Sequence, residues 1–164
     1  MAKRFSLREF QQNVLSRLQQ QEEAGSHAST LGVQVGKDLW LVEMEDISEV
    51  LPPPPLTVVP LVKPWYRGVA NIRGNLYSIS DLAAFMGQSE IAREGQNRVL
   101  LVNPKFAFNA GLLVTRVLGL RDTANWQSTE SAEGITYQDG QGQTWRKLDI
   151  AGLLQQPEFL QIGV

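Results

Sequence analysis

The side chains able to do chemistry are few, and nearly all are acidic. Glu43, Glu45, Asp46 and Glu49 cluster in one stretch, and Asp81 and Asp149 stand at the ends of apolar runs. Paired carboxylates act as general acid and base when their surroundings push their pKa values apart. The cluster, however, spans both likely faces of a strand, so its members do not converge on one point. Asp81 and Asp149 each precede a short helix-like run, where an aspartate N-cap satisfies orphan backbone N–H groups. Capping accounts for both without catalysis. The only imidazole is His27, in the small, polar stretch Gly25–Thr30, and there is no cysteine. That excludes disulfides, thiolate nucleophiles, Fe–S clusters and Cys- or His-based zinc sites, and leaves a serine triad only a loop histidine as base. Neither G-x-G-x-x-G nor G-x-x-x-x-G-K-[ST] occurs. Gly134–Gly142 is glycine-rich, but its D-G and Q-G steps read as a hairpin turn. No catalytic, metal or cofactor residue is assigned, and the expectation is a protein that is not an enzyme.

The elements that would position these residues follow from patterning. Ser6 and Glu9 form a capping box and Phe5 and Phe10 a hydrophobic staple. Leu7, Phe10, Val14 and Leu18 then recur at helical spacing, which predicts an amphipathic helix over residues 1–24. Residues 25–30 read as a linker. Beyond it come short β-like runs: Leu31–Val35, Asp38–Met44, Leu76–Ser80, Arg98–Val102, Gly111–Val114 and Thr144–Leu148. At this density they predict an antiparallel barrel or sandwich. Pro52–Pro55 reads as a stiff crossover between strands, with a PxxP ligand as the other reading.

The chain also repeats itself. S-D-L-A-A-F-M-G from Ser80 aligns with L-D-I-A-G-L-L-Q from Leu148, an offset of 68 residues from Asp81 to Asp149. Val42-x-Met44-x-x-Ile47-x-x-Val50 aligns with Leu112-x-Val114-x-x-Val117-x-x-Leu120, an offset of 70. Both members of this second pair read as a strand running into a helical turn. Two related β subdomains follow, each too small to stand alone, with a shared core and a groove between them. The charge balance, 15 Lys+Arg against 17 Asp+Glu, gives a net charge of −2. That lacks the basic footprint of a nucleic-acid binder. No apolar stretch approaches bilayer length, so neither nucleic acid nor direct membrane insertion is expected.

The most informative stretch is P-W-Y-R-G-V-A-N-I-R-G-N-L-Y-S-I-S-D, residues 64–81. Gly68 and Gly74 bracket a sharp turn that Asn71 suits, with Arg67 and Arg73 projecting from it beside Trp65 and Tyr66. Arginine and aromatic residues on a rigid surface are common anchors of protein–protein interfaces.

R-G-V-A-N-I-R-G-N-L-Y-S-I-S-D-L closely resembles the signature of the CheW-like coupling domain. The resemblance runs in order from Leu31 to Gln155 through V-E-M-E-D-I-S-E-V-L, R-V-L-L-V, A-G-L-L-V-T-R-V and W-R-K-L-D-I-A-G-L-L. K-P-W-Y-R-G-V-A-N-I-R-G, the N-terminal helix and E-F-L-Q-I-G-V are most similar to the coupling proteins of type IV pilus (twitching motility) systems. The resemblance implies a mainly β fold: two intertwined five-stranded SH3-like barrels around a shared core, with short helices and the extra N-terminal helix. The domain is expected over 31–156, with 157–164 as a tail. It implies a cytoplasmic, non-enzymatic adaptor, held at membrane receptor arrays through its partners. Those partners are the cytoplasmic tip of a methyl-accepting chemoreceptor, the regulatory domain of a CheA-type histidine kinase, and other CheW-like domains. By position, the partner-binding residues implied are Ile47, Glu49, Arg67, Gly68, Asn71, Arg73, Gly111 and Val117. Thr115 departs from an aspartate common in the family, and Leu61–Pro64 from its usual lead into the signature. The competing reading is a small ligand-binding β barrel or enzyme built on the acidic residues.

Overall fold

The first half of the chain lays down five strands and a short helix, and the second repeats that order with one strand and one helix added. The computed structural model describes residues 30–164; the N-terminal helix expected over 1–24, its capping box and His27 lie outside them. The first half contains β1 (Thr30–Val35), β2 (Asp38–Glu43), β3 (Ile47–Leu51), β4 (Tyr66–Ile72), β5 (Asn75–Asp81) and α1 (Leu82–Phe85). The second contains β6 (Arg98–Val102), β7 (Ala110–Val114), β8 (Arg116–Arg121), β9 (Gln127–Ser131), β10 (Gly134–Gln138), β11 (Thr144–Lys147), α2 (Ile150–Gln155) and α3 (Pro157–Leu160). Thr30, expected in the linker, is buried and opens β1.

The strand orders are β3-β6-β7-β5-β4 and β8-β1-β2-β11-β10-β9. Shifting by the repeat converts the first order into the second, with β9 added at one edge. The halves are intertwined: the chain changes sheet between β2 and β3 and again between β7 and β8, so that β1–β8, β2–β11, β3–β6 and β5–β7 all pair across the halves. The second repeat echo marks these two crossings. In the first copy a single 3-10 turn, Met44–Asp46, precedes β3, as the echo suggested. In the second, the chain passes through Thr115 straight into β8, so the helical turn expected there is a strand. The spacing near three came from a change of sheet, which resets which face points inward.

The sheets are mixed rather than antiparallel. β5 runs parallel to β7, and β11 parallel to β2. Neither pair is joined by a tight turn, and parallel neighbours require a long connection. Every residue of β7 is buried, which is why A-G-L-L-V reads as continuous rather than alternating. One apolar core runs through both sheets and is sealed by Leu82 of α1 and Ile150, Leu153 and Leu154 of α2. Residues 157–164 join the same body: Phe159 is buried, and Lys63 N–H donates to Ile162 O at 2.8 Å.

Pro52–Pro55 lies in the segment that carries the chain from β3 to β4, the opposite edges of one sheet. Beyond the prolines, Thr57 exchanges two backbone hydrogen bonds with Val69, at 2.8 and 2.9 Å. This bridge occupies the edge beside β4 that β9 occupies beside β10 in the other sheet. The prolines before it have no N–H to extend the ladder.

Candidate functional site

Residues 64–81 form a β-hairpin rather than a long glycine-bracketed turn. β4 runs to Ile72, which pairs with Asn75, so only Arg73 and Gly74 make the turn. Both have positive φ, 52° and 86°, the type I′ geometry that matches strand twist. Asn71 Oδ1 accepts from Gly74 N–H at 2.9 Å and fixes the turn. Gly68 lies within β4 at a register irregularity, with φ 135°. A Cβ there would sit 2.3 Å from Thr57 O, so glycine admits the bridging segment.

The hairpin presents Arg73 outward, its side chain 70% exposed. Its guanidinium pairs with both carboxylate oxygens of Glu49 on β3. β3 and β4 are the opposite edges of the sheet, so the pair spans from its first strand to its last hairpin. The Glu49 hydrogen bond, with its charge, raises the Arg73 pKa above the ordinary value. A residue other than glycine in the left-handed region is held there at a cost, a pattern that recurs at functional sites.

Arg67 behaves otherwise. It belongs to β4 and turns back toward the molecule, its guanidinium 3.2 Å from Asp81, 3.6 Å from Glu90 and donating to Ile91 O at 2.8 Å. Asp81 is fully buried; it caps α1 through Ala84 N–H at 3.0 Å and accepts from Ile91 N–H at 2.8 Å. Arg67 therefore does not project beside Arg73. It compensates a buried carboxylate and pins the loop before β6. Trp65 and Tyr66 are likewise not surface anchors: both are buried, with Trp65 packed against Phe85 and Phe159.

The other candidate residues separate into exposed and supporting positions. Asn71 is exposed beside Arg73, whereas Ile47 is buried two residues before Glu49. Gly111 is buried in β7, where a Cβ would come within 2.6 Å of Ile79 and 2.8 Å of Val99. Val117, half-buried on β8, lies opposite Val33 in the other half. The structure thus brings Glu49, Asn71 and Arg73 together at one tip, and places Ile47, Gly111 and Val117 in the packing.

The acidic cluster disperses. Glu43 pairs with Lys147 at 3.6 Å, Asp46 with Lys105 at 2.9 Å, and Glu49 with Arg73. The Asp46 hydrogen bond raises the Lys105 pKa. Among the described residues, no three His, Asp or Glu side chains gather closely enough to hold a metal ion. Asp149 caps α2 through Gly152 N–H at 3.1 Å, as its repeat position suggested.

Two features had no sequence signal. Asp139 in the β10–β11 turn accepts from the Trp145 indole N–H at 3.0 Å and from the backbone of Gln141 and Gln143. The second is an open groove of about 880 Å³ running past Trp40, Phe85 and Leu153, with Glu45, Glu133 and Glu158 on its walls. These glutamates lie far apart in sequence, so only the fold gathers them. No helix among the described residues is long and apolar enough to cross a membrane.

Residues 29–158 match the family described as the CheW-like domain. The chain is 34% identical over 155 residues to Protein PilI of Pseudomonas aeruginosa, an alignment covering 88% of this chain and 85% of that one. Among solved structures, the scaffolding protein TtCheW from Thermoanaerobacter tengcongensis matches with a TM-score of 0.64. That match covers 79% of this chain and 93% of TtCheW at 15% identity, a likeness of fold.

Proposed function

The chain belongs to the CheW-like domain family, whose members are adaptors, and on that basis we propose that it couples receptors to a kinase in a chemosensory array. The partners are the cytoplasmic tip of a methyl-accepting chemoreceptor and the regulatory domain of a CheA-type histidine kinase, with other CheW-like domains as lateral neighbours. The output is type IV pilus motility, a reading supported by the likeness to PilI along most of the chain. The protein then works in the cytoplasm and reaches the membrane array through its partners, without catalysing a reaction.

The observation that carries this reading is Arg73, a charged side chain held outward at a conformationally costly hairpin position by Glu49. An exposed guanidinium fixed in direction loses little freedom when it meets a carboxylate on a partner. Isothermal titration of the full chain against the regulatory domain of the cognate kinase tests it. Arg73→Glu places like charges at residues 49 and 73 and is expected to weaken binding at least tenfold, with the circular dichroism spectrum unchanged. Wild-type affinity in a folded Arg73→Glu variant would remove Arg73 from the interface.

A further inference from the structure

The groove beside Trp40 has a charge pattern that the coupling function does not use. An apolar strip of Phe85, Met86, Ile135 and Leu153 lines it beside Trp40. Its walls are acidic. Glu43 and Asp46 are neutralised by Lys147 and Lys105, but Glu45, Glu133, Asp149 and Glu158 have no ion pair among the described residues. A groove that sets an apolar strip beside uncompensated carboxylates fits a basic, amphipathic segment.

The same chain carries such a segment. Residues 1–24 contain Lys3, Arg4, Arg8 and Arg17 against Glu9, Glu22 and Glu23, with all four basic residues in the first 18, whereas residues 25–164 hold 11 basic and 14 acidic residues. On a helix of 3.6 residues per turn, Leu7, Phe10, Val14 and Leu18 form one stripe. Arg17 falls on one side of it and Glu9 opposite, while Lys3 and Arg4 precede the Ser6 cap. The geometry of the chain's entry is also suited. The described residues begin at Thr30, which pairs directly with Glu43, a residue of the groove wall. Residues 25–29 extend at most about 17 Å, enough to return the chain to a groove that starts beside its own entry point.

We propose that residues 1–24 dock into this groove on the same molecule, the apolar stripe on the Trp40–Phe85–Leu153 strip and the arginines against Glu133 and Glu158. Docking covers apolar surface at the junction of the two sheets and sets basic side chains against the unpaired carboxylates of the groove. Glu49, Asn71 and Arg73 are not among the residues that line the groove, so the inference is argued without the coupling role.

The chain has no cysteine, so one nitroxide label can be placed on the full-length protein through Gln12→Cys. Amide spectra of the labelled protein report which residues the label approaches. Signals of Glu133, Gly134 and Gly152 are expected to fall below half their intensity in the reduced sample. Arg4→Glu with Arg17→Glu should restore them, and adding Glu133→Arg with Glu158→Arg should bring the loss back. Broadening that is uniform or centred elsewhere would overturn the proposal. So would broadening that appears on an unlabelled isotope-enriched chain mixed with labelled protein, since that places the segment on a second copy.

Discussion

Asp81 and Asp149 offer an internally controlled experiment, because the repeat places the same aspartate at the start of the same helix in two environments. Replacing Asp149 by alanine removes one exposed capping bond, to Gly152 N–H, and should cost about 1 kcal/mol. Replacing Asp81 by alanine removes the equivalent bond to Ala84 N–H, again about 1 kcal/mol. It also orphans Ile91 N–H, which adds roughly 1 to 3 kcal/mol. Finally it leaves the Arg67 guanidinium without its buried counter-charge. A fully buried pair broken in this way costs about 3 to 5 kcal/mol. Arg67 is 28% exposed and has Glu90 at 3.6 Å, so only a fraction of that applies. The sum for Asp81→Ala is about 4 kcal/mol, roughly four times the loss at Asp149. Urea unfolding followed by circular dichroism reads both variants. With a slope of about 2 kcal/mol per M, the midpoints should fall by about 2 M and 0.5 M. Asp81→Asn, which keeps one acceptor oxygen, should lie between them. Equal losses at the two positions would refute the claim that Asp81 is a buried hub rather than a cap.

Other expectations are as direct. Gly68→Ala adds a Cβ 2.3 Å from Thr57 O at a φ of 135°, so the bridge to Val69 must open. Backbone strain and two lost hydrogen bonds predict about 3 kcal/mol, or a melting temperature lower by about 6 to 12 °C, with faster proteolysis near Pro52–Pro55. The hydrogen bond from Trp145, followed by those from Gln143 and Gln141 and the charge of Arg121, holds the Asp139 carboxyl below its ordinary value of 3.8. A carboxyl depressed in the folded state stabilises fully above that ordinary value, and the contribution is lost as pH falls through the folded one. Asp139→Asn should therefore flatten the loss of stability below pH 3.8 in acid titration by circular dichroism, and an unchanged acid slope would count against the turn's role.

Local features were legible in the sequence wherever the determinant was local. Asp81 and Asp149 announced two helix starts because a capping bond spans three residues. The D-G and Q-G steps announced the β10–β11 turn for the same reason. The repeat disclosed two related halves with a shared core. Errors arose where distant chain decided the outcome. Glycines at 68 and 74 looked like the ends of one turn, yet Gly68 serves Thr57, eleven residues upstream, and only Gly74 turns the chain. Trp65 and Tyr66 next to arginines resembled surface anchors, but Phe159 and Phe85 from α3 and α1 enclose the Trp65 ring. β9, Q-S-T-E-S, shows no alternation because all five residues are exposed on an edge strand. The partner of Arg67 was partly visible in Asp81, but Ile91 lies in a stretch without periodic pattern. The pairing of Glu49 with Arg73 depends on a sheet curling until its edges meet, which no spacing records.

The pairing of strands across the halves also bears on how the protein is made. When β1 to β5 have left the ribosome, β3 has no partner, because β6 follows about 50 residues after it. β1 likewise presents an open edge until β8 arrives. Neither half can therefore ripen as an independent folding unit during synthesis, and a truncated chain would expose β3 unpaired together with the open edges of β1, β2 and β5. Such a nascent half is a candidate for aggregation or for chaperone capture. The finished molecule gains the converse property: the halves cannot be pulled apart without breaking two strand pairings in each sheet, so a displacement imposed on one half is delivered to the other.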